Sequence, residues 1–452
     1  MAREHWQSRL GFIWAAVGSA VGLGNIWRFP YIVGENGGAL FILLYLICLA
    51  FVGFPVLIGE LTIGRRAQKN PSAAFGLLGG TRSWKRMGFL TIITGLLVSA
   101  FYGVIAGWTL GYLIEALFGN LTHFKSGSEA ALFFQSSISS TSWALFSYFG
   151  FMVLCLIILY FGVQKGIEAS NKILMPLLLT VLLGLAIKGV TLKNAHEGLK
   201  FLFLPDLNML SPKVILMALG QAFFALSLGQ GTMVTYGSYL SKKENIPTTS
   251  IPIALFGTFV SILAGIAIFT TVFSAGLPPT SGQGLMFETL PYIFSTMKGG
   301  VGISIAFFLL IFLAGLTSQI SALEPFISYL IDTKKWSRHR AATIAVVIAS
   351  FLGIPCALSM GLLKDVTFFN KTIFSLLSTV SVNFLIPLGG LSAAILVGWR
   401  LGINESFKSI QEGAALFLGR HRFFSFYIKF GIKYLSPLII LLILLDQLLS
   451  LW

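Results

Sequence analysis

An unusual segment near the start of this chain has the sequence Gly18-Ser-Ala-Val-Gly22-Leu-Gly24-Asn-Ile-Trp-Arg28-Phe-Pro30-Tyr. It lies within an apolar run, 10–34, that is long enough to cross a bilayer. Glycine weakens a helix, and an arginine at membrane depth is costly unless it faces a partner or a water-filled cavity. Irregular backbone is tolerated inside a membrane only where it lines a cavity or is buried in protein. The segment therefore predicts a membrane helix that is interrupted at a binding site.

The composition indicates that the whole chain is a membrane protein. Its 452 residues are 56% hydrophobic and 10% charged, with a mean hydropathy of +0.86. No long polar linker separates the apolar runs, so we expect one all-α integral membrane domain over residues 1–452, with eleven transmembrane helices. The predicted spans are 10–34, 39–64, 87–118, 142–163, 168–190, 212–240, 250–275, 300–331, 341–361, 372–399 and 430–452.

Basic residues are distributed unevenly between the loops. The net charge is +15, and the loop between the second and third predicted spans is basic without an acid. Its basic residues are Arg65, Arg66, Lys69, Arg82, Lys85 and Arg86. Positive residues are retained on the cytoplasmic side of a membrane, so we expect a cytoplasmic N-terminus and an outside C-terminus at Trp452 in the cell (inner) membrane. The lipid bilayer explains the charge, and no nucleic-acid partner is expected; the oligomeric state stays open.

A second interruption follows in the sixth predicted span, which contains Leu219-Gly-Gln-Ala-Phe-Phe-Ala-Leu-Ser-Leu-Gly-Gln-Gly231. Broken segments at corresponding positions of two halves are typical of a secondary transporter with a site at mid-membrane. We therefore expect a 5+5 inverted repeat, 10–190 and 212–399, with discontinuous helices 1 and 6 and one extra C-terminal helix, 430–452. The free N–H groups of a half-helix suit a carboxylate, and unwound carbonyls suit a sodium ion.

Simpler explanations exist for each feature taken alone. The spacing of Gly18 and Gly22 also suits close helix packing, and the hydroxyls of Thr317 and Ser318 in the eighth span could bond back to their own helix. A nucleotide-binding loop would need a GK[ST] sequence, which does not follow the glycines. The three cysteines lie in apolar spans, the five histidines lack metal-site spacing, and no catalytic motif is present. We therefore do not expect an enzyme.

Several motifs together resemble the neurotransmitter:sodium symporter family, in its bacterial amino-acid transporter branch. Besides the first segment, they are Trp6-…-Arg9-Leu-Gly-Phe-Ile, Glu35-Asn-Gly-Gly38, Gly107-Trp-Thr-Leu-Gly111, Gly220-Gln-…-Phe-Phe-…-Leu-Ser-Leu-Gly229, Ala-Gly-Leu-Thr-Ser318 and Pro387-Leu-Gly-Gly-Leu391. The similarity runs from Arg3 to the C-terminus, and bacterial members with eleven spans are known in the family. The resemblance implies a sodium-coupled symporter that works by alternating access.

The resemblance also implies which residues bind ions and substrate. The second sodium site would use the carbonyls of Gly18, Val21 and Ala314 and the hydroxyls of Thr317 and Ser318. The first would use Ala20 and Asn25. The substrate-binding residues would be Ser19, Ala20, Leu23, Gly24, Val98, Tyr102, Phe224, Ser227, Gln230, Ser318 and Ala322. Leu23, Gly24 and Tyr102 would bind the carboxylate, and Tyr102 and Phe224 would form the lid.

Gates and a chloride site follow from the same resemblance. The inner gate would pair Arg3 with Asp332, supported by Trp6, Ser238 and Tyr239; the outer gate would use Arg28, Tyr102 and Phe224. Candidate chloride ligands are Tyr45, Gln221 and Ser261.

Three positions depart from the family pattern. A hydroxyl of the first sodium site is replaced by Ala225, an amide of that site is replaced by Gly257, and the acid that usually faces Arg28 is replaced by Ser378. The degenerate first site predicts one sodium per substrate, held at Thr317 and Ser318, with little chloride dependence. The lost acid predicts a loose outer gate.

The substrate class follows from Gly22, where members that transport monoamines carry an aspartate. Without that acid, we expect a zwitterionic, neutral amino acid of medium to large size, because Gln230 and Ala322 make the side-chain pocket roomier and partly polar. Which amino acid it is stays open. The alternatives are an amine or osmolyte transporter of the same fold and a non-transporting amino-acid sensor.

Overall fold

A computed structural model describes residues 4–279 and 282–449, so Arg3 and Trp452 lie outside the described residues. Within these ranges the chain is mostly helical. Nine of the described helices are long and apolar enough to cross a membrane, and a pair bent by 47° would make a tenth span. The described chain is therefore mostly helical, with nine to ten helices that could span a membrane, in agreement with the predicted helical membrane class.

The helices up to the second interruption define the first half of the chain. They are α1 (Arg9–Ala20), α2 (Gly24–Glu35), α3 (Ala39–Ala67), α4 (Pro71–Gly79), α5 (Arg82–Leu117), α6 (Gly127–Ser139), α7 (Thr141–Tyr160), α8 (Val163–Val190), α9 (Ala195–Phe203) and α10 (Pro212–Ala225). α1 and α2 are the bent pair, so the first predicted span breaks between Ala20 and Gly24.

The remaining helices follow the second interruption. They are α11 (Thr232–Ser238), α12 (Ile246–Ser274), α13 (Thr289–Thr296), α14 (Gly300–Lys334), α15 (Arg338–Leu358), α16 (Ile373–Arg400), α17 (Ile403–Gln411), α18 (Ala415–Arg420) and α19 (Arg422–Leu449). A two-residue antiparallel hairpin, β1 (Thr367–Phe368) with β2 (Lys371–Thr372), precedes α16. The second interruption lies between Ala225 and Thr232.

The long helices overlap the predicted spans, but several of their ends differ. The clearest correction is α19, which begins at Arg422 rather than at residue 430. Hydropathy alone places an end where charged residues appear, whereas helical hydrogen bonding continues into the polar interface. At α5, for example, the Thr81 side chain accepts from the N–H of Trp84 and caps a helix that starts five residues before the predicted 87.

The packing places the broken helices in the middle of the molecule. α1 packs against α8, α12 and α14, and α5 and α14 pack along each other. The residues of α1 from Ala15 to Ala20 are all buried, as are Gly22 and Leu23. The interruptions therefore lie away from the lipid-facing surface, as irregular backbone in a membrane requires.

Glycine at position 64 allows α3 to approach α11, the second half of the other broken helix. A Cβ atom on Gly64 would lie 1.9 Å from the carbonyl oxygen of Val234. On the same helix, a Cβ on Gly59 would meet nothing closer than a methyl group of Val397 at 3.9 Å. The two glycines of α3 therefore differ sharply in the room around them.

We predict that Gly64→Ala lowers the melting temperature of the purified protein by about 5 °C or more, because backbone atoms must move apart to admit the methyl group. Gly59→Ala is the matched control, and its melting temperature should stay within about 1 °C of the wild type, since its methyl group meets only ordinary contacts. A thermal-unfolding measurement in detergent compares the two. Equal melting temperatures for both variants would contradict this packing argument.

Candidate functional site

The interruption between α1 and α2 exposes backbone groups that a continuous helix would use internally. α1 ends at Ala20, and the N–H of Leu23 donates to the hydroxyl oxygen of Tyr102 on α5 at 3.0 Å. The N–H groups of Asn25 and Ile26 donate to the Gly22 carbonyl at 3.0 and 3.2 Å, so the Gly24 N–H is the one beside the break that these contacts leave unused, at the positive end of the α2 dipole. This arrangement can bind an anionic group such as a carboxylate.

The interruption between α10 and α11 has a left-handed backbone at three positions. Ser227, Gly229 and Gly231 have φ angles of 52°, 73° and 79°. The N–H of Gly229 donates to the carboxylate of Glu60 on α3 at 2.7 Å, and the Ser227 hydroxyl donates to the carbonyl of Ser19 on α1 at 2.8 Å. Side chains of neighbouring segments thus satisfy groups that the break leaves free.

A pocket lies between the two interruptions, and its empty space, with its mouth, comes to about 360 Å³. Ten of the eleven residues predicted for the substrate line it together with Gly22 and Asn25; the ten are Ser19, Ala20, Gly24, Val98, Tyr102, Phe224, Ser227, Gln230, Ser318 and Ala322. Leu23 lines the neighbouring cavity instead. The structure therefore brings together residues that are far apart in the sequence.

Two glycines of the first interruption have no space for a side chain. A Cβ on Gly22 would lie 2.1 Å from the Ser318 hydroxyl oxygen, and a Cβ on Gly24 would lie 2.6 Å from the Phe224 ring. An aspartate at Gly22, as expected in monoamine transporters, would collide with Ser318 in this arrangement. The pocket wall at this point is therefore bare backbone.

The oxygen atoms predicted for the second sodium site lie close together. The Thr317 hydroxyl donates to the Ala314 carbonyl at 3.1 Å, and the Ser318 hydroxyl lies 3.4 Å from the Gly18 carbonyl and 3.1 Å from the Ser19 carbonyl. Hydroxyl and carbonyl oxygens are the ligands that hard cations prefer. Val21, the remaining predicted ligand, directly follows α1. This donor set fits a sodium ion.

The predicted first sodium site has fewer oxygen atoms. The Asn25 amide donates to the Gly257 carbonyl at 2.8 Å, and its own Oδ1 atom is buried without a partner in the described part of the chain. Ala225 is buried and supplies no side-chain oxygen. Sequence reasoning missed Thr258, which directly follows Gly257 and whose buried hydroxyl oxygen lies beside Tyr45.

Of the candidate chloride ligands, Gln221 is already engaged at both ends of its amide. Its Nε2 donates to the Gly24 carbonyl at 2.8 Å, and its Oε1 accepts from Arg28 at 2.5 Å. The Ser261 hydroxyl donates to the Gly257 carbonyl at 3.0 Å, and the buried Tyr45 hydroxyl has no partner within the described ranges.

The side of the pocket that contains Arg28, called here the Arg28 side, has a second cavity lined by Trp27, Tyr31, Ser378 and Asn383, among others. Phe224 and Tyr102 line both cavities, so their rings lie between the pocket and this second space. The Arg28 guanidinium lies 5.2 Å from the centre of the Phe224 ring. In residues 4–279 and 282–449, no carboxylate pairs with Arg28. Its guanidinium donates instead to the Gln221 amide oxygen, a contact that the sequence pattern did not predict.

Related proteins extend over nearly the whole chain. The model of the sodium:neurotransmitter symporter family matches residues 3–130 and 128–451. The uncharacterized sodium-dependent transporter YhdH of Bacillus subtilis is 36% identical over 441 residues, which cover 98% of this chain and 97% of that protein. The chain belongs to the sodium:neurotransmitter symporter family. It is therefore a sodium-dependent membrane symporter, in a family of transporters rather than enzymes.

Two further relatives support this assignment. An uncharacterized sodium-dependent transporter of Haemophilus influenzae is 36% identical over 459 residues, covering 99% of this chain and 98% of that protein. The crystal structure of MhsT in complex with L-phenylalanine matches with a TM-score of 0.90 and 42% identity, covering 99% of this chain and 100% of that one. The fold of this symporter is therefore that of a solved transporter.

The opposite side of the pocket, called here the Trp6 side, is closed by the segment before α1. The Trp6 indole donates to the Tyr236 carbonyl at 3.1 Å and packs against the Tyr239 ring. Asp332, which was predicted to pair with Arg3, accepts from the backbone N–H of Asn70 at 2.7 Å; Arg3 lies outside the described residues. These contacts join the N-terminal segment and α4 to the helices around the pocket.

A buried ion pair on this side was not predicted. Arg338, at the start of α15, donates through both terminal nitrogens to the Glu324 carboxylate at 2.6 and 2.7 Å, and Tyr239 donates to the same carboxylate at 2.7 Å. The Glu324 side chain is fully buried. Its depth in the eighth span was the only signal in the sequence that it needs a partner.

We predict that Arg338→Ala destabilises this symporter by about 3–5 kcal/mol, because it leaves the Glu324 carboxylate buried without its cation. Lys334→Ala, an exposed lysine on the preceding helix, is the control and should be neutral. The double variant Glu324→Gln with Arg338→Met should recover most of the loss, since no buried charge then remains. Thermal unfolding measures all three, and an Arg338→Ala protein as stable as the control would contradict the proposed role of the pair.

Proposed function

We propose that this symporter couples the inward movement of a neutral α-amino acid to sodium by alternating access. The observation that supports this most directly is the convergence of two chemically different groups on one pocket. On one wall, the broken backbone at Gly24 lies beside Tyr102, whose hydroxyl oxygen accepts from the Leu23 N–H. On another, Thr317 and Ser318 gather oxygens beside the end of α1.

The substrate carboxylate would lie against the first interruption. The Gly24 N–H at the positive end of α2 and the Tyr102 hydroxyl, which now accepts from the Leu23 N–H, are complementary to an anion. The carbonyls near Ala20, Phe224 and Ser227 would accept from the amino group. Because Gly22 leaves no space and supplies no acid, the substrate must bring its own carboxylate. The relative MhsT was crystallised with L-phenylalanine, an amino acid with both groups.

We predict that the decarboxylated amine of any amino acid that binds is at least about 100-fold weaker than its parent, since the N–H groups then lose their charged partner. A thermal-shift screen of the twenty amino acids with sodium identifies the parent, and the paired amine is then titrated. Equal affinity for the amine and the parent would instead support an amine transporter.

We also propose the complete topology of the chain. α1 with α2 and α10 with α11 each form one broken span, which gives eleven spans arranged as a 5+5 inverted repeat, 10–190 and 212–399, with α19 outside it. The basic loop after α3 favours a cytoplasmic N-terminus and an outside C-terminus in the cell (inner) membrane. The Arg28 side would then face outward and the Trp6 side inward.

In alternating access, the protein would open on one of these two sides while the other stays closed, and then the reverse. Opening outward requires Phe224 and Tyr102 to separate and Arg28 to leave Gln221. Opening inward requires Trp6 to leave Tyr236, with release of the proposed Arg3–Asp332 gate. Ligands shift such an equilibrium only by binding one state more tightly; sodium at α1 and α14 would favour the outward-open state, and bound substrate would allow closure.

We propose that one sodium accompanies each substrate. The donor set around Thr317 and Ser318 is complete enough for a hard cation, whereas the first site retains Asn25 but has Ala225 and Gly257 in place of oxygen-bearing side chains. Little chloride dependence is expected, because Gln221 is engaged by Arg28 and Gly24.

We predict that Thr317→Ala or Ser318→Ala abolishes sodium stimulation of uptake in proteoliposomes, because each removes an oxygen from the single cation site. Wild-type uptake should depend on sodium with a Hill coefficient near one. Ser328→Ala is the control and should transport normally, since among the described residues the Ser328 hydroxyl bonds only to the Pro325 carbonyl of its own helix. A wild-type Hill coefficient near two would contradict the one-sodium proposal.

A further inference from the structure

One side-chain atom of the pocket is buried away from water and has no hydrogen-bond partner among the described residues. Gln230, between the two left-handed glycines 229 and 231, is 7% exposed and lines the pocket. Its Oε1 atom is buried and accepts no hydrogen bond from any described residue. A buried amide oxygen without a donor is unfavourable, and native proteins keep few of them.

The serine hydroxyls in the same lining are already bonded within the protein. Ser19 donates to the Ser321 hydroxyl at 2.8 Å, Ser227 donates to the Ser19 carbonyl at 2.8 Å, and Ser318 donates to the same carbonyl at 3.1 Å. The other unpaired side-chain oxygen of the lining belongs to Asn25, directly after the backbone proposed for the carboxylate. Gln230 is therefore the acceptor left for another part of the substrate.

The backbone around Gln230 is held firmly, so the side chain cannot easily withdraw. The preceding N–H, of Gly229, is bonded to Glu60. A Cβ on Gly95 of α5 would lie 2.9 Å from the Gln230 carbonyl oxygen, and a Cβ on Gly231 would lie 3.1 Å from the Thr91 hydroxyl oxygen. The carboxamide thus projects from a segment packed tightly against α5.

We infer that Gln230 selects amino acids whose side chain carries a hydrogen-bond donor. This inference rests on the proposed transport of an α-amino acid. Val98, Phe224 and Ala322 offer apolar contacts in the same lining, so the fitting side chain has an apolar stem and a polar tip, as in tyrosine or a carboxamide amino acid. A site with a buried acceptor discriminates against a substrate that leaves this acceptor unpaired.

Shape-matched pairs of amino acids test the inference on the purified, full-length protein in sodium. The pairs are tyrosine with phenylalanine and asparagine with leucine, and the dissociation constant of each is measured by thermal-shift titration. In the wild type, tyrosine should bind at least about tenfold more tightly than phenylalanine. In Gln230→Met, which keeps the length of the side chain but not its acceptor, both pair ratios should shift by roughly tenfold or more toward the apolar member.

Val98→Ala is the control variant, since it changes the volume of the pocket but no hydrogen bond. It should change all four affinities together and leave each pair ratio within about twofold of the wild type. If Gln230→Met does not fold, Gln230→Leu replaces it, and the wild-type tyrosine ratio is an independent test.

The results that would overturn the role of Gln230 differ from those that would overturn the proposed function. If amino acids bind in sodium but neither pair ratio responds to the loss of the carboxamide, the role of Gln230 is overturned while the proposed function stands. A wild-type preference for phenylalanine over tyrosine also overturns that role. If none of the twenty amino acids binds in sodium, the proposed function fails, and the inference fails with it.

Discussion

Every polar backbone group of a chain in hydrocarbon needs a hydrogen-bond partner inside the protein. In this symporter the requirement is most demanding at the two interruptions, where helical bonding stops. The groups released there are engaged by side chains from other helices: Tyr102 accepts from Leu23, Glu60 accepts from Gly229, and Ser227 donates to Ser19. The breaks are stable because helices α3 and α5 supply these partners.

The same contacts explain why the pocket lies where it does. A ligand can bond only to backbone N–H and C=O groups that are not already bonded within a helix. The two breaks supply such groups, and they face each other at the ends of α1 and α10. Ser227 joins the two breaks directly. It belongs to the second break, where its backbone is left-handed, and its hydroxyl donates to the carbonyl of Ser19, just before the first break. A shift of either half-helix would therefore change the pocket and the oxygens around Ser318 together, and we propose this link as the physical basis for coupling a cation to a substrate.

The sequence allowed the breaks to be predicted because glycine, asparagine and arginine at membrane depth have few structural uses. Contacts between residues that are far apart in the sequence were harder to predict. Arg28 was expected to lack a carboxylate, but nothing in the local pattern indicated Gln221, since that contact depends on how α10 lies against α2. Arg338 lies in the loop between the eighth and ninth predicted spans, yet its guanidinium reaches the buried Glu324. Short helices such as α6 and α9 were missed because their apolar runs are too brief to distinguish from loops.

The two sides of the pocket are closed by contacts of different strength. On the Arg28 side, the acceptor is a neutral amide and the lid is a pair of aromatic rings, so separation exposes no unpaired anion. On the Trp6 side, the carboxylate of Glu324 is fully buried and receives donors from Arg338 and Tyr239. An inward opening that moved Tyr239 with Trp6 would take a donor from this buried carboxylate, whereas Arg28 would exchange one neutral acceptor for another. In the proposed cycle, this difference would favour opening on the Arg28 side when no ligand is bound, and this is the side from which sodium and substrate would enter.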